Sequence, residues 1–180
     1  MNVKAKDENE PVKYLLGEMT EAEQARFEES FFQDAELSEL VSKTDSTTAL
    51  IIDKGGFLIS SQGDTRSFDL TTIAALASGA YLANQTIANL VHETNFNSVY
   101  QQGEKFSMFV MCVDENCLLA VIFKASVSVG AVKYFATPAV KRIAAQMEIA
   151  QERDPGGGLD LSMLNIADPS EVFKRRTEVS

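Results

Sequence analysis

A chain of 180 residues is long enough for one domain with extensions and too short for two full domains. Its 45% apolar and 23% charged residues are the balance of a globular domain, and 16 basic against 26 acidic residues give a formal charge of −10, a sign that disfavours nucleic acid and anionic lipid as partners. Two cysteines and one histidine, His92, are too few for a disulfide framework or a standard structural zinc site.

The chain opens on Met1–Glu10 without an apolar run, so no signal peptide is expected and the cytoplasm is the expected compartment. Residues 1–45 hold 5 basic and 12 acidic side chains, residues 46–127 hold 4 and 7, and residues 128–180 hold 7 and 7, which suggests a core domain with appendages. In the acidic head, Val12, Tyr14, Leu15 and Leu16 form an apolar patch ended by Gly17. Thr20-Glu21-Ala22-Glu23 is a capping box, predicting a helix to about Phe32 that buries Phe27 and Phe31. Asp34 is then expected to cap a short second helix with Leu37, Leu40 and Val41 inward.

The middle alternates strands with one helix. Thr47–Asp53 and Phe57–Ser61 flank Asp53-Lys54-Gly55-Gly56, a hairpin whose glycines supply positive φ. Phe106–Val113 and Cys117–Val127 flank Asp114-Glu115-Asn116, a second hairpin, preceded by a weaker strand at Phe96–Gln102. Between them Leu70–Val91 follows Asp69, a good N-cap, and contains no charged residue. Its asparagines, Gln85, Gly79 and hydroxyl residues speak against a membrane span, leaving a helix covered on both sides, by a partner subunit or by the chain itself. On a helical wheel Leu70, Ile73, Ala77, Ala80, Asn84, Ile87 and Val91 suit a sheet. The opposite face, Thr72, Ala75, Gly79, Ala83, Thr86 and Leu90, is mostly small and would admit a second helix closely.

A long helix is predicted over Val129–Arg153, with Val132, Phe135, Ala139, Ile143, Met147 and Ala150 inward. Pro138 inside it marks a kink or a later start. Asp154-Pro155-Gly156-Gly157-Gly158 reads as a flexible linker. Beyond it, Leu159–Ile166 suits a sheet edge or groove, and Asp168-Pro169-Ser170-Glu171 starts a further helix; binding on the chain's own core and binding to a partner are both open. The expected domains are thus an acidic helical extension at 1–34, a core at 35–153, and a linker with tail at 154–180.

Catalytic motifs are absent from the sequence: no phosphate-binding glycine loop, no dinucleotide fingerprint, no nucleophile elbow. His92 is explained as a cation at a helix C-terminus, and Cys112 and Cys117, though able to face each other across a four-residue loop, as buried free thiols. Asp114-Glu115 reads as solvated turn charge. Arg66, in the loop before the uncharged helix, is the one side chain placed to be offered to another protein's active site. No enzyme, cofactor or metal site is expected.

The element order, with LIIDKGGFLISS at Leu50–Ser61, the uncharged helix after it, and LLAVIFKASVSVGAVKYFATPAVKRIAAQME over Leu118–Glu148, resembles the roadblock/dynein light-chain family, in its bacterial MglB-like branch. The resemblance spans about residues 35–150. It implies an α+β, profilin-like fold: a five-stranded antiparallel sheet of order 2-1-5-4-3, the middle helix on one face and terminal helices on the other. It also implies a homodimer, or a heterodimer with a paralogue, formed through the third strand and middle helix. The interface residues would be Thr72, Ala75, Gly79, Ala83, Thr86, Leu90, Phe96, Val99 and Tyr100. The partner it implies is a Ras-like small GTPase, regulated or scaffolded by rearrangement of its own residues, which argues against Arg66 as a donated group. Tyr14–Val41 is similar to the helical N-terminus of anti-sigma-factor proteins, lacking the zinc ligands that would fall near Ser30, Asp34 and Leu37. That similarity implies an alternative, an adaptor in transcriptional signalling whose head binds a sigma-factor-like protein.

Overall fold

The computed structural model describes residues 10–153, as α1 (Glu10–Leu16), α2 (Glu21–Thr44), β1 (Thr48–Asp53), β2 (Leu58–Gly63), α3 (Leu70–Leu90), β3 (Ser98–Gln102), β4 (Phe106–Cys112), β5 (Cys117–Lys124) and α4 (Val129–Arg153). The strands form one antiparallel sheet in the order β2-β1-β5-β4-β3, as the resemblance implied. The linker and tail expectations at 154–180 lie outside the described residues.

Alternation along the central strands divides the core in two. On one face Ala49 and Ile51 of β1 and Leu119, Val121 and Phe123 of β5 meet Leu37 and Leu40 of α2 and Val132, Ala136 and Ile143 of α4. On the other, Leu50, Ile52, Leu118 and Ala120 meet Leu70, Ala74, Ala77 and Tyr81 of α3. β5 runs apolar from Cys117 to Phe123 without polar alternation because both its faces are covered. Each fully buried branched side chain here contributes about 1.5–3 kcal/mol.

Two expectations are corrected and one open alternative is decided. The head is one helix, not two: α2 runs unbroken through Asp34 because no glycine or proline interrupts residues 18–54, and the Asp34 carboxylate accepts from Ser60 Oγ (2.6 Å) instead of capping. The capping box at Thr20 and Glu23 does form. The buried stripe of α2 follows Ala25, Gln33, Glu36, Leu37 and Leu40, which leaves Phe27 half-buried against Tyr14 (ring centroids 5.0 Å) and Phe31 67% exposed. Second, Cys112 and Cys117 point to opposite faces, since Cys112 pairs with Leu118 and not with Cys117. Cys112 packs on the α3 side and Cys117 on the other, where burial pushes its thiol up to about 12. Third, α4 begins at Val129 and is helical through Pro138, so the proline marks no later start. Strand ends also shift by one to three residues, with β2 at Leu58–Gly63 and β3 at Ser98–Gln102.

The terminal helices are locked antiparallel by a bidentate ion pair. Arg142 Nε and Nη2 of α4 donate to Glu36 Oε1 (2.8 Å) and Oε2 (2.6 Å) of α2, and the pairing raises the arginine's pKa. Farther along the pair, Lys43 of α2 lies over the Phe135 ring of α4 at 6.0 Å.

Candidate self-association surface

The uncharged helix is held to the sheet by its ends and by polar handles. Asp69 caps it by accepting from the Thr72 backbone N–H (3.1 Å) and hydroxyl (2.7 Å), and these bonds lower the Asp69 pKa. At the far end His92 adopts φ 62°, and the Glu93 and His92 amides donate to Ala88 O (2.9 Å) and Asn89 O (3.2 Å). That is a Schellman closure with a histidine in the place usual for glycine, so His92 ends the helix by backbone conformation.

The hairpin between β1 and β2 presses on α3 from the side. Ser78 Oγ donates to the Lys54 carbonyl, and Gly56, at φ 93°, lies so close that a Cβ there would sit 2.9 Å from Ala75 Cα. This explains the second glycine of the pair as both a turn residue and a close approach. Below, the Tyr81 hydroxyl (3.3 Å) and Gln85 Nε2 (2.7 Å) both donate to the Phe96 carbonyl, fixing the segment that leads into β3. Burial pushes the Tyr81 phenol up to about 12, so it stays a donor at neutral pH.

The sheet-facing stripe is Leu70, Ala74, Ala77, Ser78, Tyr81 and Ala88. It is rotated from the wheel reading: Ile87 and Val91, expected inward, are 47% and 55% exposed, because the polar handles Ser78 and Tyr81 turn the helix toward the hairpin and Phe96. The opposite face stays where the wheel placed it. Thr72, Ala75, Gly79, Ala83, Thr86 and Leu90 are all exposed, and a Cβ at Gly79 would meet open space. Leu76 (68% exposed), Leu82, Ile87 and Leu90 (75%) flank or join them. Leu76 and Leu82 were missed as surface residues, though their positions off both wheel stripes are legible in the spacing. The result is an outer helix surface with several exposed leucines and no charge.

The strand beside it supplies a second feature. Among the described residues β3 pairs only with β4, and none pairs with its outer edge. The strand residues divide between faces. Val99, opposite Val110, packs under α3, whereas Tyr100, opposite Phe109, lies on the α2/α4 side, stacked near Phe123 at 6.3 Å and 40% exposed. Phe96 is half-buried in its own chain. The six α3 residues therefore share one outward face, but Phe96, Val99 and Tyr100 do not join it: Val99 lies under the helix and Tyr100 on the opposite side of the sheet. Arg66 sits in the exposed loop ahead of α3, its backbone N–H donating to Asp64 Oδ1 (3.2 Å).

Chemistry elsewhere is sparse. Asp114 Oδ1 accepts from the amides of Asn116 and Cys117 (both 2.7 Å), which makes it a turn former. Among the described residues no group of three or more His, Cys, Asp or Glu is placed to hold a metal, and no helix is long and apolar enough to cross a membrane.

The fold resembles known structures. MglB from Myxococcus xanthus is 29% identical, with a TM-score of 0.62 over 65% of this chain and 95% of that one. The gliding protein MglB from Thermus thermophilus is 27% identical, with a TM-score of 0.63 over 67% and 92%. An MglB with a tetrameric arrangement is 28% identical, with a TM-score of 0.61 over 64% and 88%. Curated protein sequences give no match. The Roadblock/LC7 domain model matches residues 33–123, from the middle of α2 to the end of β5, and the chain belongs to the Roadblock/LC7 domain family.

Proposed function

We propose that this protein is a non-enzymatic, self-associating regulator or scaffold of a bacterial Ras-like small GTPase, which it recruits or whose GTP hydrolysis it accelerates. The observation that carries the reading is the exposed, uncharged outer face of α3 beside the outer edge of β3. Two copies joined there by a twofold axis would bury Leu76, Leu82, Ile87 and Leu90 and continue the sheet from β3 to its partner's β3. Gly79 and Ala83 would let the two α3 helices approach closely. Family membership and likeness to the MglB proteins support the choice of a small GTPase as client.

The side chains on hand suit a regulator that works by shape. Among the described residues, hydroxyl–carboxylate pairs such as Thr72 with Asp69 and Ser60 with Asp34 serve a helix cap and a contact between elements, and the chain's one histidine is a helix terminator. The client's own residues would do the chemistry, held in place by the dimer, with Arg66 a solvated loop side chain. Pull-down from native lysate, run with GDP and separately with a non-hydrolysable GTP analogue, tests this. A Ras-like protein enriched with the analogue is expected, and Arg66→Ala should leave any acceleration of its turnover intact. Enrichment of a sigma factor under both conditions would move the function to the acidic head.

A further inference from the structure

The N-terminal half of α2 and the short α1 carry an apolar surface of their own, on the sheet face opposite α3. α1 buries none of its residues, and Val12, Leu15, Leu16 and Phe31 are 51%, 82%, 64% and 67% exposed. Tyr14 and Phe27 join them, Tyr14 tilted against Phe27 at 5.0 Å and Phe27 stacked on Phe31 at 6.3 Å. The surrounding charge is acidic: residues 10–34 hold seven carboxylates against Lys13 and Arg26. A second copy would bring the same sign against itself, so self-association through this patch is opposed.

The end of α4 points to what covers it. The Arg142–Glu36 and Lys43–Phe135 contacts show α4 running antiparallel to α2 with the same phase, which carries residues 149–153 alongside the N-terminal half of α2. Twenty-seven residues follow. Asp154–Gly158 can span up to about 17 Å and its three glycines allow a reversal. Next come the apolar Leu159, Leu161, Met163, Leu164 and Ile166, then Val172-Phe173 ahead of Lys174-Arg175-Arg176, the only run of three cations in the chain. Apolar side chains followed by a basic cluster complement an apolar patch set in carboxylates, and they leave the fold beside it.

We infer that residues 159–176 dock in cis on the α1/α2 patch, the aliphatic residues covering Leu15, Leu16 and Phe31 and the basic run meeting the head's carboxylates. The assignment is independent of the GTPase reading, since it uses the sheet face opposite the self-association surface. The bound tail makes the acidic head a covered surface that a competing basic partner would have to open.

Tryptic cleavage after Lys174, Arg175 and Arg176 tests this in the full-length chain, followed by intact mass. Docking predicts slow release in the wild type and release about tenfold faster in Leu15→Glu/Phe31→Glu, because cleavage follows the open population. Both positions are solvent-exposed, and unchanged circular dichroism certifies the fold. As a second arm, hydrogen exchange of the α1 amides should quicken in Leu161→Asp/Leu164→Asp and in Lys174→Glu/Arg175→Glu/Arg176→Glu. Equal cleavage and equal exchange in wild type and variants would overturn the proposal. Protection that grows with protein concentration would also overturn it, by assigning the tail to a neighbouring copy.

Discussion

The two faces of the sheet solve the same burial problem differently. On one, α2 and α4 cover the strands as a pair, cross-linked by Glu36–Arg142, and α4 turns Lys133, Lys141 and Arg142 to water. On the other, α3 stands alone, and its outer surface has no charge with which to face solvent. Where α2 and α4 pair, the face is finished with charges. A face covered by a helix that exposes Leu76 and Leu90 needs further cover. The proposed association would thereby be separated from folding: the α2/α4 side packs within the chain, and the α3 side is the one proposed to meet a second copy.

The largest effect that would break this division is truncation in the paired-helix core. Leu37→Ala, at a fully buried position, should cost about 2–5 kcal/mol in urea unfolding. The matching truncation Leu90→Ala should barely alter the fold of one chain and should instead weaken self-association; equal unfolding losses would contradict the division. Next in size is Gly56→Ala, which adds a Cβ 2.9 Å from Ala75 Cα at a positive φ and should destabilise by about 1–3 kcal/mol, measured the same way. Arg142→Ala follows. It strands the buried Glu36 carboxylate and should lower stability by about 1–3 kcal/mol, whereas Lys141→Ala, exposed one position earlier, should stay near zero.

The smallest effect concerns Glu29 on α2. Burial, and then the nearby Asp114 carboxylate, raise its pKa, offset in part by the Gln33 amide at 3.0 Å. The folded state therefore prefers the protonated acid: its contribution is fully present below the ordinary glutamate value and is lost as pH rises through the raised folded value. Glu29→Gln should give a small gain in thermal stability at neutral pH that vanishes in acid. A gain independent of pH would remove the electrostatic explanation.

How much of this the sequence contains differs by region. The capping box, both hairpins and the charge-free run of α3 are local signals, and each appears in the structure as its pattern demands. The strand order and the side of each helix came from the resemblance, since no local pattern encodes them. Long-range contacts account for the misses. Nothing near Asp34 reveals that Ser60, on another element, will take its carboxylate and let α2 continue. Ile87 and Val91 are apolar and rightly spaced for the sheet, yet Ser78 and Tyr81 fix the helix rotation through the Lys54 and Phe96 carbonyls. Tyr100 differs from Val99 only in the parity of its pairing with β4, which decides its face and is set by register alone.

Light scattering on the full-length wild type and on Gly79→Arg, at one concentration, tests the central claim most directly. Gly79 faces open space in a helix interior, so arginine harms neither packing nor helix propensity in one chain. The account predicts a wild type at twice the chain mass of 19.7 kDa and a variant at 19.7 kDa with an unchanged circular dichroism spectrum. A wild type already at the single-chain mass, or a variant that keeps the doubled mass, would contradict it.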